Sequence, residues 1–225
     1  AWVVLPRGWP LRHAALIGTA AAIAWKPAPP PAQCFDAWAL DVGQGLAVVV
    51  QTQREVMLYD TGMAWRGGGS AAEYVVLPFL EARGIRRINR LVVSHGDLDH
   101  AGGAEYLRDR LDIDHVIVGE PVSGLKGWSC VRGQRWWAGA VLFEILHPQD
   151  PARSDGNDAS CVLRVSAGAH ALLLTGDIEV PAERRLLQAA APIGADVAVV
   201  PHHGSLTSSS VPFVIAVSPR VAIVS

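Results

Sequence analysis

Apolar and polar positions follow distinct rhythms along this chain. Leu11 to Trp25 is apolar apart from Arg12 and His13, with an uncharged run from Ala14 to Trp25. That run is shorter than the ~18–20 residues that cross a bilayer. Trp2, Trp9 and Trp25 flank the apolar stretches as interfacial anchors do. Residues 1–25 therefore read as the end of a membrane region, with a helix docked on a globular domain as the alternative. Lys26-Pro-Ala-Pro-Pro-Pro-Ala32 is a stiff extended linker, so 26–33 marks a domain boundary.

From Cys34 onward, short β-rich runs alternate with turns. FDAWALDV (35–42), GLAVVVQT (45–52) and REVMLYDT (54–61) predict an antiparallel meander of three strands, turning at Gly43-Gln44-Gly45 and near Gln53. Helical spacing runs from Ala71 to Arg83, with Val75, Val76, Phe79 and Leu80 on its apolar face. Further strands are predicted at 87–94, 114–119, 141–148, 160–167, 170–177, 195–201 and 220–225, and helices at 104–110, 180–190 and 210–217. Residues 119–140, rich in Gly, Ser and Trp, are predicted irregular. Strands first, then helices interleaved with strands, point to mixed sheets with helices packed outside. Residues 34–225 are read as one domain. The closing run RVAIVS carries no cap or tail, so the domain is expected to be truncated at its C-terminus.

Composition changes this picture in three ways. Hydrophobic residues make up 50% and charged residues 18%, the latter below the roughly 25% of ordinary soluble domains, which implies extensive burial, membrane contact or both. A net charge of -2 announces no basic field for nucleic acid, although bound cations would supply the charge a phosphate needs. Cys34, Cys130 and Cys161 are odd in number and lack a C-x-x-C spacing, so buried or incidental thiols are expected rather than a disulfide framework or a cysteine zinc site.

The most informative segment is SHGDLDHAGG, residues 94 to 103, directly after Leu91-Val92-Val93. His95, Asp97, Asp99 and His100 leave one strand end within six positions, enough side chains to hold two divalent ions side by side. His95 and Asp97 alternate and can share one side of an extended segment, while Asp99 and His100 turn toward a second position. Three other strand ends carry the same chemistry: Asp60 after VMLY, Asp177 after ALLLTG and His202 after VAVVP, with His203 beside it. Ligand sites of α/β folds lie beyond the carboxyl ends of strands, so these ends are expected to converge. Asp177 suits a bridge between two cations. Taken singly, several of these residues have plainer readings. Asp60 and Asp177 each sit in a turn sequence, and His202-His203 suits a surface or core-edge pair. Asn157, Asp158 and Ser160 read first as a capping loop, with support of the site or contact to substrate as the lesser reading. Arg132 and Arg135 beside Trp136 and Trp137 read as a solvated hairpin, or as a grip on a single strand.

At these residues the chain resembles the metallo-β-lactamase fold superfamily, whose usual signature is H-x-H-x-D-H. Here the second histidine is Asp97, a hard oxygen ligand that shifts metal preference toward Mn or Mg, with Zn still accommodated. LDVGQG (40–45), YDTG (59–62), SHGDLDHAGG, NDAS (157–160), LLTGD (173–177) and PHHGSLTSSS (201–210) resemble, in order, the C-terminal hydrolase domain of the competence protein ComEC family, bacterial inner-membrane channels for DNA uptake. The resemblance implies an αββα sandwich of two mixed sheets. It implies two divalent ions, Mn or Zn with Mg as a third option, held by His95, Asp97, Asp99, His100, Asp177 and His202. Asp60, Asp97, Asp177 and His203 would serve as catalytic or orienting groups. The domain is expected outside the cytoplasm at the inner membrane, hydrolysing the DNA strand that is not transported during natural transformation. Single-stranded DNA is the expected partner, the membrane is reached through upstream segments, and no nucleotide cofactor is expected. Leu46 stands where that family usually has Asp after GQG, and no histidine of the superfamily's third motif occurs near Asn157 to Ser160. Two other functions stay open: a metallo-hydrolase of a small substrate such as a lactam, thioester or lactone, and a non-catalytic module that binds or gates DNA.

Overall fold

The structure is a computed structural model, and it describes residues 12–24, 27–154 and 156–225. Two six-stranded mixed sheets face each other. The first takes its strands in chain order: β1 (Phe35–Ala39), β2 (Val48–Thr52), β3 (Val56–Tyr59), β4 (Arg87–Val93), β5 (Asp112–Val118) and β6 (Trp128–Ser129). β1 to β3 form the antiparallel meander, and β3, β4, β5 and β6 then run parallel. The second sheet has the order β12 (Val221–Ile223), β11 (Val197–Val199), β10 (His170–Leu174), β9 (Val162–Ala167), β8 (Val141–His147), β7 (Arg135–Ala138). Its β7 to β10 are antiparallel, and β10, β11 and β12 are parallel.

Three apolar layers hold the sandwich. Between the sheets lie Val48, Val50, Tyr59, Val92, Phe143, Leu163, Val165 and Leu174. Outside the first sheet, Leu58, Leu91 and Val93 pack against Val76 and Leu80, and against Ala101, Ala104 and Leu107. The covering helices are a π segment Ala72–Val76 leading into α2 (Leu77–Ala82), then α3 (Leu98–Ala101) and α4 (Ala104–Arg108). Outside the second sheet, α5 (Val180–Gln188) and α6 (Val211–Val217) bury Ala182, Leu186, Phe213 and Val217. The central strands are buried on both faces, which is why LVV and ALLL read as continuous apolar runs rather than alternating ones. This is the αββα sandwich of two mixed sheets anticipated above.

The structure departs from expectation in three places, and it forms a helix in the apolar stretch near the N-terminus. The segment 119–140 supplies the edge strands β6 and β7, whose Gly-, Ser- and Trp-rich surroundings conceal their pairing. The helix expected from Ala71 to Arg83 opens as π rather than α. Arg12–Ala24 forms the helix α1, and no described helix is long and apolar enough to cross a membrane. Trp2, Trp9 and Trp25 lie outside the described residues. Finally, Cys130 and Cys161 are not thiols but a disulfide, with Cα atoms 5.9 Å apart and both residues fully buried, while Cys34 is free and exposed. The bond ties the segment after β6 to the residue before β9, pinning the edge of one sheet to the interior of the other.

A crosslink spanning 31 residues restricts the unfolded chain by about 3–4 kcal/mol on the loop-entropy account. The Cys130→Ala, Cys161→Ala double variant is expected to lose that amount in urea unfolding. An unchanged midpoint would show that the bond is not formed in solution.

Candidate metal centre

The four strand ends meet. β3 delivers Asp60 and β4 delivers Ser94 to His100, both from the first sheet. β10 delivers Asp177 and β11 delivers His202 and His203, both from the second. His100 Nε2 lies 3.2 Å from Asp177 Oδ1 and 3.3 Å from His203 Nε2. His203 Nε2 lies 3.4 Å from Asp177 Oδ2 and 3.5 Å from Asp99 Oδ2. Asp177 thus directs one oxygen at each imidazole. His95 packs beside His100, with ring centroids 4.3 Å apart, and its Nε2 stands 3.5 Å from Asp97 Oδ2.

Of the expected residues, Asp99, His100, Asp177 and His203 converge most tightly, and His95 joins through His100 and Asp177. Asp97 sits at the mouth, with 63% of its side chain exposed. Asp60 lies beneath the cluster, fully buried. His202 turns away: its Nδ1 faces Thr207 Oγ1 at 3.2 Å and Glu179 Oε1 at 3.3 Å, and its Nε2 faces Asn157. His202 and His203 both adopt left-handed backbone, φ 49° and 51°, so neighbouring side chains leave the chain in different directions, and it is His203 that enters the cluster. Such backbone is sparsely populated by non-glycine residues and collects at functional sites.

A chain of hydrogen bonds sets where each imidazole carries its proton. Ser94 N donates to Asp60 Oδ1 at 2.6 Å, and Ser94 Oγ donates to Oδ2 at 2.7 Å. His100 Nδ1 donates to the same Oδ2 at 2.8 Å. Because Ser94 Oγ spends its proton on Asp60, it accepts from His95 Nδ1 at 3.0 Å. His203 Nδ1 donates to the carbonyl of Ser225 at 3.0 Å. All three histidines therefore hold Nδ1–H on a fixed partner and present Nε2 to the centre, the arrangement that orients metal-binding imidazoles.

Three further residues, Glu120, Ser160 and His147, brace this core. Glu120, at the end of β5, accepts from the backbone N–H of Gly96 at 2.7 Å and of Gly156 at 3.2 Å, joining the histidine-aspartate loop to the 156–159 turn. Ser160 Oγ accepts from Asp177 N at 3.0 Å and stands 3.4 Å from His95 Nδ1. The Ser160 carbonyl in turn accepts from Nδ1 of His147, at the end of β8. Glu120 and His147 follow apolar strands like the residues singled out above, so the same strand-end rule would have found them. Leu46 contributes no ligand atom. Its side chain is buried between the sheets, and its N–H donates to the Asp99 carbonyl at 3.2 Å. Gly45 makes that approach possible: at φ +123° a Cβ there would lie 2.3 Å from the Asp99 carbonyl oxygen.

The carboxylates of the cluster favour positive charge on two of its imidazoles. The Asp60 and Asp177 carboxylates outweigh burial and push His100 up to about 10. Hydrogen bonds to Asp177 and Asp99 push His203 up to about 10. The same imidazoles overcome burial at Asp177 and hold it well below the usual carboxylate range. Burial, assisted by His100, instead lowers His95, whose Nε2 is buried without a hydrogen-bond partner. Two groups of ligand atoms lie within 4.8 Å of one another: His95, His100 and Asp177, and Asp99, His100 and His203. Oxygen and imidazole donors of this kind, with an orphaned buried nitrogen among them, fit divalent cations.

The fold and the site define a class. The metallo-β-lactamase superfamily profile matches residues 40–225, and the chain belongs to that superfamily, which is in general hydrolytic and metal-dependent. Within it, the chain is similar to competence protein ComA of Neisseria gonorrhoeae, at 38% identity over 224 residues, which are 99% of this chain and 31% of that protein. It is similar to recombination protein 2 of Haemophilus influenzae, at 39% identity, covering 83% of this chain and 23% of that protein. ComE operon protein 3 of Bacillus subtilis is 33% identical, covering 83% and 27%. The chain thus spans between about a quarter and a third of the length of these curated relatives. Among solved structures, a Cronobacter sakazakii metallo-β-lactamase with a HARLDQ motif superposes with a TM-score of 0.51 at 21% identity, over 71% of this chain and 66% of that one. The diiron β-hydroxylase CmlA of Streptomyces venezuelae gives 0.53 at 15%, over 83% and 44%. At these identities the likeness concerns the fold alone.

Two outcomes follow. Mn²⁺ at a hundredfold excess over its Kd is expected to stabilise the chain by about 2.7 kcal/mol. His203→Ala and Asp177→Asn should lose most of that gain in thermal unfolding, and His202→Ala should keep it. The opposite pattern for the two histidines would reverse their roles. Separately, burial holds His147 below the ordinary imidazole value, an effect that its bond to the Ser160 carbonyl only partly offsets. It is neutral in the fold, whereas the unfolded chain takes up a proton below about pH 6.5. Its contribution is therefore present above that pH and lost as pH falls. The urea midpoint of His147→Asn, whose amide can donate to the same carbonyl, should fall less between about pH 7.5 and 5 than that of the parent chain. Equal slopes would remove His147 from this account.

Proposed function

We propose that this domain hydrolyses phosphodiester bonds of DNA, as the nuclease part of a ComEC-like uptake protein that degrades the strand not taken in. The observation that carries the reading is the meeting of His95, Asp99, His100, Asp177 and His203 at three strand ends drawn from both sheets. The names of the relatives, a competence protein and a recombination protein among them, supply the DNA context.

In this reading His95, Asp97 and Asp177 would hold one divalent ion, and Asp99, His100, His203 and Asp177 would hold the other. Such ions supply the charge that lowers the pKa of a water toward neutrality and offsets the charge building on a phosphate. The chain's own residues do the rest. Asp60 and Ser94 fix the Nδ1–H of His100 and His95, so their lone pairs face inward. Ser160 and Glu120 lock the backbone of Asp177 and of the Gly96 loop. Asp97, open to solvent, is the carboxylate through which a proton leaves toward bulk water. His202, Thr207 and Asn157 line the rim with hydrogen-bonding groups in reach of an incoming strand. The buried Cys130–Cys161 bond supports an oxidising location, outside the cytoplasm.

The test is cleavage of labelled single- and double-stranded DNA by the purified chain with Mn²⁺, Zn²⁺ or Mg²⁺, beside a panel of lactams, thioesters and lactones. Cleavage of DNA that EDTA stops is the expected result. Ser160→Ala should reduce it about 10- to 100-fold, as loss of a residue supporting metal ligands does, and Asp177→Asn should reduce it further. Turnover of a lactone with no cut DNA would overturn the nuclease reading in favour of a small-molecule hydrolase. Retained DNA binding without metal or turnover would leave a binding module.

A further inference from the structure

Beside the metal centre lies aromatic surface that the metal ligands do not use. A hairpin from Ala64 to Ser70, closed by a bridge between those two residues, turns through Gly67-Gly68-Gly69 and packs on α3. Ala64 N donates to the Leu98 carbonyl at 3.2 Å, and a Cβ at Gly102 would lie 2.5 Å from Ala64 N, so the two segments touch through their backbones. Leu98 stands between Asp97 and Asp99 and is 59% exposed. Trp65, next to Ala64, stacks on Tyr74 with ring centroids 5.8 Å apart and planes 28° apart. Trp65 is 44% exposed and Tyr74 62%. Among the described residues no further ring or cation lies on either one. Tyr74 rests on Gly69, where a Cβ would lie 2.7 Å from its ring. Arg66 is exposed and makes no hydrogen bond or ion pair among the described residues. The tryptophan-arginine hairpin singled out from the sequence offers no comparable surface. Phe143 and the Arg90 guanidinium flank the Trp136 ring at 5.0 and 4.6 Å, and Arg132 donates to the Ala189 carbonyl.

We propose that the Trp65–Tyr74 pair stacks a base of single-stranded DNA while Arg66 pairs with a neighbouring phosphate, seating the strand at the mouth of the metal centre; this rests on the nuclease reading above. Three observations select that ligand. The rings belong to none of the apolar cores, so burial does not explain them. Each gives part of its surface to the other and leaves the rest in water, and an open aromatic face suits any base. The three glycines of the hairpin add no side chain that would cover it. Next, the Arg66 guanidinium beside Trp65 is unpaired, and its planar, permanently charged fork matches a phosphate. A neutral apolar substrate would use the rings alone, whereas a nucleotide uses rings and guanidinium together. Finally, the position agrees. The hairpin meets Leu98, whose chain neighbours are Asp97 and Asp99, so a strand lying across Leu98 reaches both the platform and the metal ligands.

The test is fluorescence anisotropy of a labelled, phosphorothioate-linked oligothymidylate, which resists cleavage, with the Mn²⁺-loaded chain. An abasic phosphorothioate strand of equal length and charge serves as the comparison. Trp65→Ala and Tyr74→Ala, made separately, are each expected to raise Kd for the thymidylate about five- to hundredfold and to leave Kd for the abasic strand where it is. Trp65→Phe should restore most of the affinity. Arg66→Gln should weaken both strands by the same factor and reduce the slope of log K against log salt by about 0.7, as loss of one phosphate contact does. If the parent binds the two strands alike, or both alanine variants bind thymidylate like the parent, the rings hold no base, even where DNA is cut. Unchanged binding by Arg66→Gln would remove the phosphate contact. If the rings govern affinity but no DNA is cut, the base site stands and the nuclease reading falls.

Discussion

A carboxylate sealed from water governs this molecule. Asp60 has no exposed surface, and an unpaired charge so placed would cost several kcal/mol. Three donors hold it: Ser94 N, Ser94 Oγ and His100 Nδ1. The residue sits at φ 58°, in backbone that few side chains adopt, so the chain bends away from β3 while the carboxylate reaches under the end of β4. Two consequences follow. The ends of β3 and β4 are clamped at hydrogen-bond distance, and the protons of His100 and, through Ser94, of His95 are assigned. Asp60 touches no substrate in this arrangement. Its part is to make two imidazoles face one way.

The second sheet completes what the first begins. Asp177 and His203 meet the histidine-aspartate loop only because β10 and β11 pack face to face with β3 and β4 across the inter-sheet core, with Tyr59, Val92, Leu174 and Val199 at the join. Tyr59 adds a direct bond, donating from its hydroxyl to the Cys161 carbonyl at 2.7 Å. Cys161 N donates to the Ser94 carbonyl at 2.9 Å, and Ser160 beside it holds Asp177. The disulfide is anchored at this same joint, so the crosslink stiffens the seam along which the two halves of the site are aligned.

Much of this was legible in the sequence, and for a definite reason. Central parallel strands are apolar throughout, so the first polar residues after them stand out, and VMLY-Asp60, LVV-Ser-His95 and ALLLTG-Asp177 mark the site without any structure. The choice between His202 and His203 was not legible. Adjacent residues differ only by backbone torsion, and two consecutive left-handed conformations leave no mark in composition. The Cys130–Cys161 pair was hidden because an odd cysteine count argues against pairing until Cys34 is known to lie on the surface. Glu120 and His147 obey the strand-end rule but lack a motif around them, and a single residue without neighbours of like chemistry does not stand out.

The charge distribution explains how a weakly acidic chain would handle a polyanion. The net charge is -2, and the strongest local feature is a cluster of carboxylates, which repels a phosphate until cations occupy it. A hydrolase built in this way would leave a strand uncut wherever cations are scarce and begin cutting when they arrive, with no movement of the fold required.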